Sequence, residues 1–139
     1  SPPPPLSQFL LADTPGAGAH MKLAVNALMG TMAVALGEAL AVGEAAGLDP
    51  SQLVEVVGLG ACAAPMFGLK GPGMAAAPPR SYPTAFPLKH EAKDMRLFKA
   101  LCEEVGVAAP LAAAAGAAFA AAEGEGLGDA DFVAVREVC

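Results

Sequence analysis

The sequence predicts an all-α fold, a bundle of about six helices around one long helix. More than half of the 139 residues are hydrophobic, and these are mostly Ala, Leu and Val. The sequence contains no Ile, no Trp and a single Tyr, so the residues that favour strands are scarce. A chain of this length and hydrophobicity can bury a core of its own, which argues against disorder along its whole length.

The chain opens on a proline run. Residues 1–10 begin Ser-Pro-Pro-Pro-Pro and predict a stiff linker or domain entry, whereas residues 11–139 are predicted to form one helical domain. Thr14 or Asp13 is suited to cap the first helix, with Pro15 in its first turn. Because the sequence does not start with Met, we expect it to be part of a longer protein.

The first helix is predicted over Gly18 to Ala46, where only isolated glycines interrupt the helical pattern. A glycine costs about 1 kcal/mol against alanine in an exposed helix. Three of them, Gly30, Gly37 and Gly43, therefore indicate that another backbone approaches closely. A helix of this length is expected to be the central element, and Gly47 ends it.

Residues 49–52, Asp-Pro-Ser-Gln, predict the start of a second helix, because Asp suits the N-cap and Pro the first helical position. The apolar stripe of this helix is predicted to be Leu53, Val56 and Val57.

A short third helix is predicted over Ala63 to Leu69, followed by a loop rich in Pro and Gly from Lys70 to Thr84. The next helix is predicted from about Pro87 to Val105. Apolar residues at spacings of three and four predict its buried face. They are Leu88, Met95, Phe98, Leu101, Cys102 and Val105.

The helix predicted from Pro110 to Glu123 is apolar on every side. Such a helix is expected to be buried all round, within the domain or against another subunit. Asp129 or Asp131 is suited to cap a final helix that runs through Val138.

The charge pattern excludes two classes of partner. The formal net charge is −6 and the eight basic residues are scattered, so no patch is dense enough to bind nucleic acid directly. The two longest uncharged stretches contain Asn26 and Pro110 respectively, and neither predicts insertion into a membrane.

The His and Cys residues predict no metal site and no disulfide framework. His20 and His90 have no acidic or Cys residues in a metal-binding arrangement, so both are expected at the surface. Cys62, Cys102 and Cys139 form no CxxC pair, and buried, inert thiols in a reducing intracellular compartment are expected.

The most informative segment lies at the head of the long helix, where Gly16-x-Gly18 is followed by Lys22 and Asn26. A dinucleotide-binding loop needs a βαβ unit and an acidic residue on the next strand. A single long helix follows here, so we reject that interpretation of the two glycines. Lys22 and Asn26 lie one turn apart on the same helical face. The motif resembles the catalytic signature of the β-hydroxyacid dehydrogenase family.

A second block strengthens this resemblance, which runs from about Leu11 to the C-terminus in order and with similar spacing. This block is similar to the plant glyoxylate/succinic semialdehyde reductases of the family. It comprises residues 65–67, 70–72, 82–83, 86–90, 93–97 and 126–132. The resemblance implies the helical C-terminal domain also found in 6-phosphogluconate dehydrogenase. The implied reaction is reduction of a small aldehyde, or oxidation of a hydroxy acid, with NADPH or alternatively NADH.

The resemblance also implies roles for five residues. Lys22 is the catalytic residue, because hydride transfer builds negative charge on the carbonyl oxygen, which an ammonium stabilises and protonates. Asn26 is implied to bind the substrate or fix the lysine, Phe86 to form an apolar wall of the substrate pocket, and Asp94 to organise its polar groups. Lys93, which points about 100° away from Asp94 on a helix, is implied to reach the nicotinamide cofactor.

Each of these residues has an ordinary structural alternative. A Lys and an Asn near a helix start are commonly solvated, and a Phe after a Pro-rich loop is commonly core. The alternative for the second block is a solvated charged face to which Lys89, Glu91, Lys93 and Arg96 belong.

The resemblance implies that most cofactor contacts belong to a Rossmann domain that precedes this region and is absent from this chain. We therefore expect the chain alone to show no reductase turnover. The implied partners are a small aldehyde or hydroxy-acid substrate, that Rossmann domain, and further copies in a homodimer or tetramer. The cytoplasm is the expected compartment, with a plastid or mitochondrion as alternatives. The competing function is a non-enzymatic helical assembly module derived from the same family, against which the retained Lys22 argues.

Overall fold

The computed structural model describes residues 16–139, which form five α-helices and a closing 3-10 helix and confirm the predicted all-α bundle. The predicted linker over residues 1–10 and the domain boundary at residue 11 lie outside the described residues. The predicted cap of the first helix is wrong, because that helix begins at Ala17 with Gly16 as its N-cap and has no side-chain cap. The helices are α1 (Ala17–Ala45), α2 (Pro50–Leu59), α3 (Pro65–Ala75), α4 (Leu88–Val105), α5 (Pro110–Gly124) and the 3-10 helix (Phe132–Val138).

The long helix α1 is the central element, as the sequence predicts. Its buried residues, which include Ala33, Leu36 and Leu40, face the core, and α1 contacts all of the other five helices. Length and composition alone would allow α1 to cross a membrane. Here α1 contributes a buried stripe to a folded bundle. Its length and apolar composition are therefore also those of a core helix.

The glycines of α1 mark close approaches, as predicted, although the neighbours are mostly side chains. A methyl group at Gly30 would lie 2.6 Å from Oε1 of Glu91. At Gly37 it would lie 3.4 Å from the backbone Cα of Arg136, and at Gly43 it would meet a side chain of α2. The expectation of a close backbone is therefore confirmed at Gly37 alone among the three.

Helix α3 is longer than predicted. It begins at Pro65 and continues to Ala75, so the loop predicted from Lys70 is wrong for its first residues. Gly71 packs against Val54 of α2, and Met74 is fully buried. These contacts outweigh the helix-breaking tendency of Pro72, which removes one backbone hydrogen bond from the helix.

The predicted apolar faces of α2 and α4 are only partly right. Helix α2 has Asp49 as its N-cap, as predicted, but no fully buried residue, and Val56 is exposed. In α4 Leu88 and Met95 are buried as predicted, whereas Val105 is exposed. The last turn of α4 extends past the core, so that Val105 is exposed while Leu101 and Cys102 just before it are half-buried.

Helix α5 is not buried all round. Ala115, Phe119 and Ala122 form its buried stripe, whereas the side chain of Leu111 is 73% exposed. A single helix on the outside of a bundle presents one stripe to the core, and small alanines elsewhere on α5 leave the rest of its surface apolar and accessible.

The cysteines do not follow the prediction, whereas the histidines do. Cys62 and Cys139 are exposed, Cys102 is half-buried and all three are free thiols, so the expected burial is wrong. Each lies at or near the end of an element, and of the three thiols that of Cys139 packs against Gly37 of α1. His20 and His90 are exposed, as predicted.

Candidate active site

The structure brings together Lys22, Asn26 and Asp94, which the sequence singles out from two distant segments. Nδ2 of Asn26 donates a hydrogen bond of 2.8 Å to Oδ2 of Asp94. Nζ of Lys22 lies 3.7 Å from Oδ1 of Asp94. The side chain of Lys22 is 59% exposed and that of Asp94 is 3% exposed. An accessible ammonium therefore lies above a buried carboxylate.

Local structure explains this geometry. Lys22 and Asn26 lie on consecutive turns of one face of α1. On α4, burial of Leu88, Ala92 and Met95 fixes the rotation of the helix, and Asp94 shares that buried side. The carboxylate is thus held against α1 by the packing of its neighbours as well as by its hydrogen bond.

Asp94 retains hydrogen-bonding capacity. Among the described residues its Oδ1 atom has no hydrogen-bond partner, although it is fully buried. The 3.7 Å separation from Nζ of Lys22 is an ion pair but is too long for a hydrogen bond. The arrangement leaves the ammonium of Lys22 accessible at the opening, with a buried carboxylate oxygen beneath it.

Glu91 is the residue of this region that sequence reasoning misses. The charged residues around Glu91 predict a solvated face, yet Glu91 is 0% exposed. Neither of its carboxyl oxygens has a hydrogen-bond partner within residues 16–139. Burial, followed by the negative charge of Asp94, raises the pKa of Glu91 to about 8. The signal was present in the sequence, because Leu88, Glu91 and Met95 have the spacing of one helical face.

Within residues 16–139, the side chains of Phe86 and Lys93 form no hydrogen bond or ion pair with Lys22, Asn26 or Asp94. The half-buried ring of Phe86 lies 6.0 Å from the ring of Phe132 and 6.2 Å from that of His90, so its aromatic contacts are those of a residue packed on the core. Lys93 is exposed, whereas the adjacent Asp94 is buried, which confirms that the two point in different directions.

Asp131 positions the segment that carries Phe86. Its Oδ1 atom accepts hydrogen bonds from the backbone N–H groups of Ala85 at 2.9 Å and Phe86 at 3.0 Å. Nζ of Lys70 lies 3.2 Å from its Oδ2 atom. The sequence predicts Asp131 as a helix cap, which the hydrogen bond from the backbone N–H of Val133 confirms, but not its hold on this loop.

The described residues also bear on metal and nucleotide binding. Within residues 16–139, no three His, Cys, Asp or Glu side chains lie close enough together to hold a metal ion. The same residues contain no strand, only a single bridge between Pro87 and Asp131. The phosphate-binding βαβ unit that a dinucleotide requires is therefore not formed by this part of the chain.

Comparison with known proteins agrees with these features. Residues 16–139 match the family described as NAD-binding of NADP-dependent 3-hydroxyisobutyrate dehydrogenase. Glyoxylate/succinic semialdehyde reductase 2, chloroplastic, from Arabidopsis thaliana is 50% identical over 94% of this chain and 36% of its own length. Glyoxylate/succinic semialdehyde reductase 1 from the same plant is 51% identical over 88% of this chain and 41% of its own length.

Two solved structures of similar fold are those of 3-hydroxyisobutyrate dehydrogenases. That of Salmonella typhimurium has a TM-score of 0.85 and 27% identity, covering 94% of this chain and 45% of that one. That of Mycobacterium tuberculosis, solved with L-serine, has a TM-score of 0.77 and 23% identity, covering 88% of this chain and 43% of that one; at that identity the likeness shows the fold alone.

The chain spans less than half the length of each of these proteins. The family match nevertheless extends over all of the described residues, and the curated relatives are about half identical to the chain. The chain therefore belongs to the family of NAD-binding domains of NADP-dependent 3-hydroxyisobutyrate dehydrogenases.

Proposed function

We propose that this chain is the helical part of an NADPH-dependent reductase that converts small aldehydes such as glyoxylate or succinic semialdehyde to hydroxy acids, or catalyses the reverse oxidation. The observation that carries the proposal is the accessible ammonium of Lys22, 3.7 Å from the buried carboxylate of Asp94. The names of both curated relatives support these two aldehydes as substrates.

Lys22 would stabilise the transition state. When a hydride adds to an aldehyde carbon, negative charge develops on the carbonyl oxygen. A fixed ammonium beside that oxygen stabilises the charge and donates the proton that completes the alcohol. Because most of the Lys22 side chain is open to solvent, a carbonyl can approach it from the side away from Asp94.

Asp94 and Asn26 would orient this ammonium. Asp94 attracts Nζ of Lys22 from below, and the 2.8 Å hydrogen bond from Asn26 fixes the carboxylate. Phe86, whose backbone N–H donates to Asp131, would supply an apolar wall, and its ring also contacts those of Phe132 and His90.

The cofactor would be bound mostly by a Rossmann domain outside this chain. When bound, NADPH supplies the hydride. Among the described residues, Lys93 fits a contact with the cofactor because its side chain is exposed. Its neighbour in the chain, Asp94, lies beneath the ammonium of Lys22. Comparing the rates with NADPH and NADH, in wild type and in Lys93→Ala, tests this contact. A KM for the cofactor that Lys93→Ala leaves unchanged would contradict it.

Replacement of Lys22 tests the catalytic proposal. In the full-length protein, Lys22→Ala is expected to lower kcat/KM for glyoxylate at least 100-fold, because the charge on the carbonyl oxygen loses its stabilising partner. Lys99→Ala, at another exposed lysine on the same bundle, is the matched control and should retain the wild-type rate. Helical content and assembly mass should be unchanged in both. An unaltered rate in Lys22→Ala would end the catalytic proposal. The 139-residue chain alone should show no turnover.

The second candidate function is a helical assembly module, and one observation favours it. The outer face of α5 is apolar and accessible, with Leu111 73% exposed, as expected of a helix that packs against another copy of the chain. Assembly into a homodimer or tetramer is also compatible with the enzyme. The Lys22→Ala experiment distinguishes the two functions. If the protein is only an assembly module, the wild type should show no measurable reductase activity.

A further inference from the structure

Glu91 occupies an unusual place for a carboxyl group, at the junction of three helices. A methyl group added at Gly30 of α1 would lie 2.6 Å from Oε1 of Glu91 on α4 and 3.1 Å from the ring of Phe119 on α5. The side chain is 0% exposed and neither oxygen has a partner among the described residues. An isolated charge in such a place is strongly disfavoured.

Glu91 lies one level below the proposed active site. Asn26 and Gly30 are four residues apart on α1, and Asp94 and Glu91 are three residues apart on α4. Asn26 contacts Asp94 and Gly30 contacts Glu91. The two helices thus meet in successive layers, a polar layer under Lys22 and a second layer in which the missing Cβ of Gly30 makes room for the Glu91 carboxyl.

The charges that face Glu91 come from few sources. On its own helix, the negative charge of Asp94 acts on it. On α1 the nearest cation is Lys22, which lies beyond Asp94 and is paired with it. On α5 the neighbour is the apolar ring of Phe119, while Glu123 is paired with Arg96 at the surface. No cation among these compensates Glu91 directly.

We propose that Glu91 is a positioning residue for Lys22, acting through Asp94. In its protonated form it leaves Asp94 as the one negative charge beneath the ammonium, which keeps Lys22 extended toward the opening. When the Glu91 proton dissociates to solvent, a second negative charge forms in the layer below and draws the ammonium inward, away from the substrate. This inference rests on the proposed function of Lys22.

The ionisation of Glu91 sets the pH at which the ammonium of Lys22 moves inward. Burial and the charge of Asp94 raise the pKa of Glu91 to about 8, so the inward movement belongs to mildly alkaline solution. Reductase activity should then decline above that pH because of Glu91, in addition to any decline caused by other groups.

Carbon-13 and nitrogen-15 NMR of the 139-residue chain tests the coupling without measuring activity. In wild type the Glu91 carboxyl carbon should titrate with a midpoint near 8, and the Asp94 carboxyl and Lys22 Nζ signals should shift at the same pH. Glu91→Gln keeps the shape of the side chain and removes its ionisation, so both responses should disappear. Glu104→Gln, on the exposed side of α4, is the matched control and should retain them.

Two NMR outcomes would overturn the proposal. One is a Glu91 carboxyl that titrates in the ordinary range near 4.5. The other is a Glu91 that titrates near 8 while the Lys22 signal does not respond. Both are read from wild-type protein, so the result does not depend on how well Glu91→Gln folds.

A pH profile of the full-length enzyme supplies the functional arm. Above the Glu91 midpoint, wild-type kcat/KM should fall about tenfold per pH unit, as for a single ionisation, and Glu91→Gln should shift that decline upward by at least one unit. A profile that is the same in both proteins contradicts the proposal. If Lys22→Ala retains activity, the proposed function fails whatever the NMR shows. If Lys22→Ala is inactive and the NMR responses are absent, the inference about Glu91 fails alone.

Discussion

Within residues 16–139, Asn26 makes the one side-chain hydrogen bond that joins α1 to α4. Its amide donates to a carboxylate that is almost fully buried, so the bond satisfies a charge that has little other support.

The motif identifies Lys22 and Asn26, and the resemblance adds Asp94. Glu91 was missed because a carboxylate next to lysines suggests a solvated face, whereas the helical period shows that it shares the face of Leu88 and Met95.

Removing the Asn26 amide should destabilise the protein. Asn26→Ala is expected to lower the free energy of unfolding by about 1–3 kcal/mol, because Oδ2 of Asp94 loses its partner while remaining buried. Urea unfolding followed by circular dichroism measures this change. In an Asp94→Ala background the same substitution should cost less than about 1 kcal/mol. Equal costs in the two backgrounds would show that the hydrogen bond does not contribute.

Glu91 should make stability fall as pH rises. Its pKa is about 8 in the folded protein against a reference value of 4.5, so between these values the folded state binds more protons than the unfolded state. The stabilisation is complete below 4.5 and is lost as pH rises through about 8, by up to about 1.4 kcal/mol per pH unit.

Unfolding free energies of wild type and Glu91→Gln, compared across this pH window, measure the Glu91 contribution. The wild-type curve should decline more steeply than that of the variant. Parallel curves for the two proteins would mean that Glu91 is ionised in the folded state and that its burial has no such effect.

At the level of elements, the starts of α2, α4 and α5 and the ends of α1, α4 and α5 follow from the sequence, because Asp49, the prolines and the glycines mark them. The length of α3 does not, because contacts of Gly71 and Met74 with other elements stabilise a helix that Pro72 opposes locally. The buried face of α5 was also beyond reach, since a helix of alanines has no periodic pattern to show which side meets the core. Local signals therefore predict where helices start, and packing decides how far they extend.

The glycines of the bundle provide a paired test of this packing. Gly30→Ala should destabilise the protein by about 1–3 kcal/mol, because the new methyl group would collide with Glu91 and the Phe119 ring. Gly58→Ala in α2, where no atom lies within 4 Å of the added group, should stabilise it by up to about 1 kcal/mol through helix propensity. Thermal unfolding of both variants measures the difference. Two shifts of the same sign would contradict the role of Gly30 as a packing site.

At the scale of the whole molecule, the fold class and family could be predicted, because composition and motifs extend over most of the chain. The sequence could not show which surfaces stay open. Leu28 of α1 and Leu111 of α5 line one groove between these helices, and both are exposed. An apolar groove of this kind is expected to be covered in the assembled protein.

Leu111→Arg tests whether the groove joins copies of the chain. A charge at this position should reduce the assembly mass measured by analytical ultracentrifugation, because burying an unpaired guanidinium in an apolar interface is unfavourable. Leu59→Arg, at the end of α2 where the leucine is 87% exposed, is the control and should leave the mass unchanged. An unchanged mass for Leu111→Arg, or an equal reduction by the control, would remove this groove from the interface.

The position of the 3-10 helix has a consequence for how the protein is made. Residues 132–136 are buried, and the 3-10 helix contacts α1, α3, α4 and α5. Helix α1 leaves the ribosome long before them, yet its surface around Gly37 is covered only when Arg136 and Cys139 arrive. The native packing of α1 can therefore form only after residues 132–139 have been translated. A nonsense mutation upstream of Phe132 would yield helices around an open core, a substrate for cellular proteases rather than a shortened working domain.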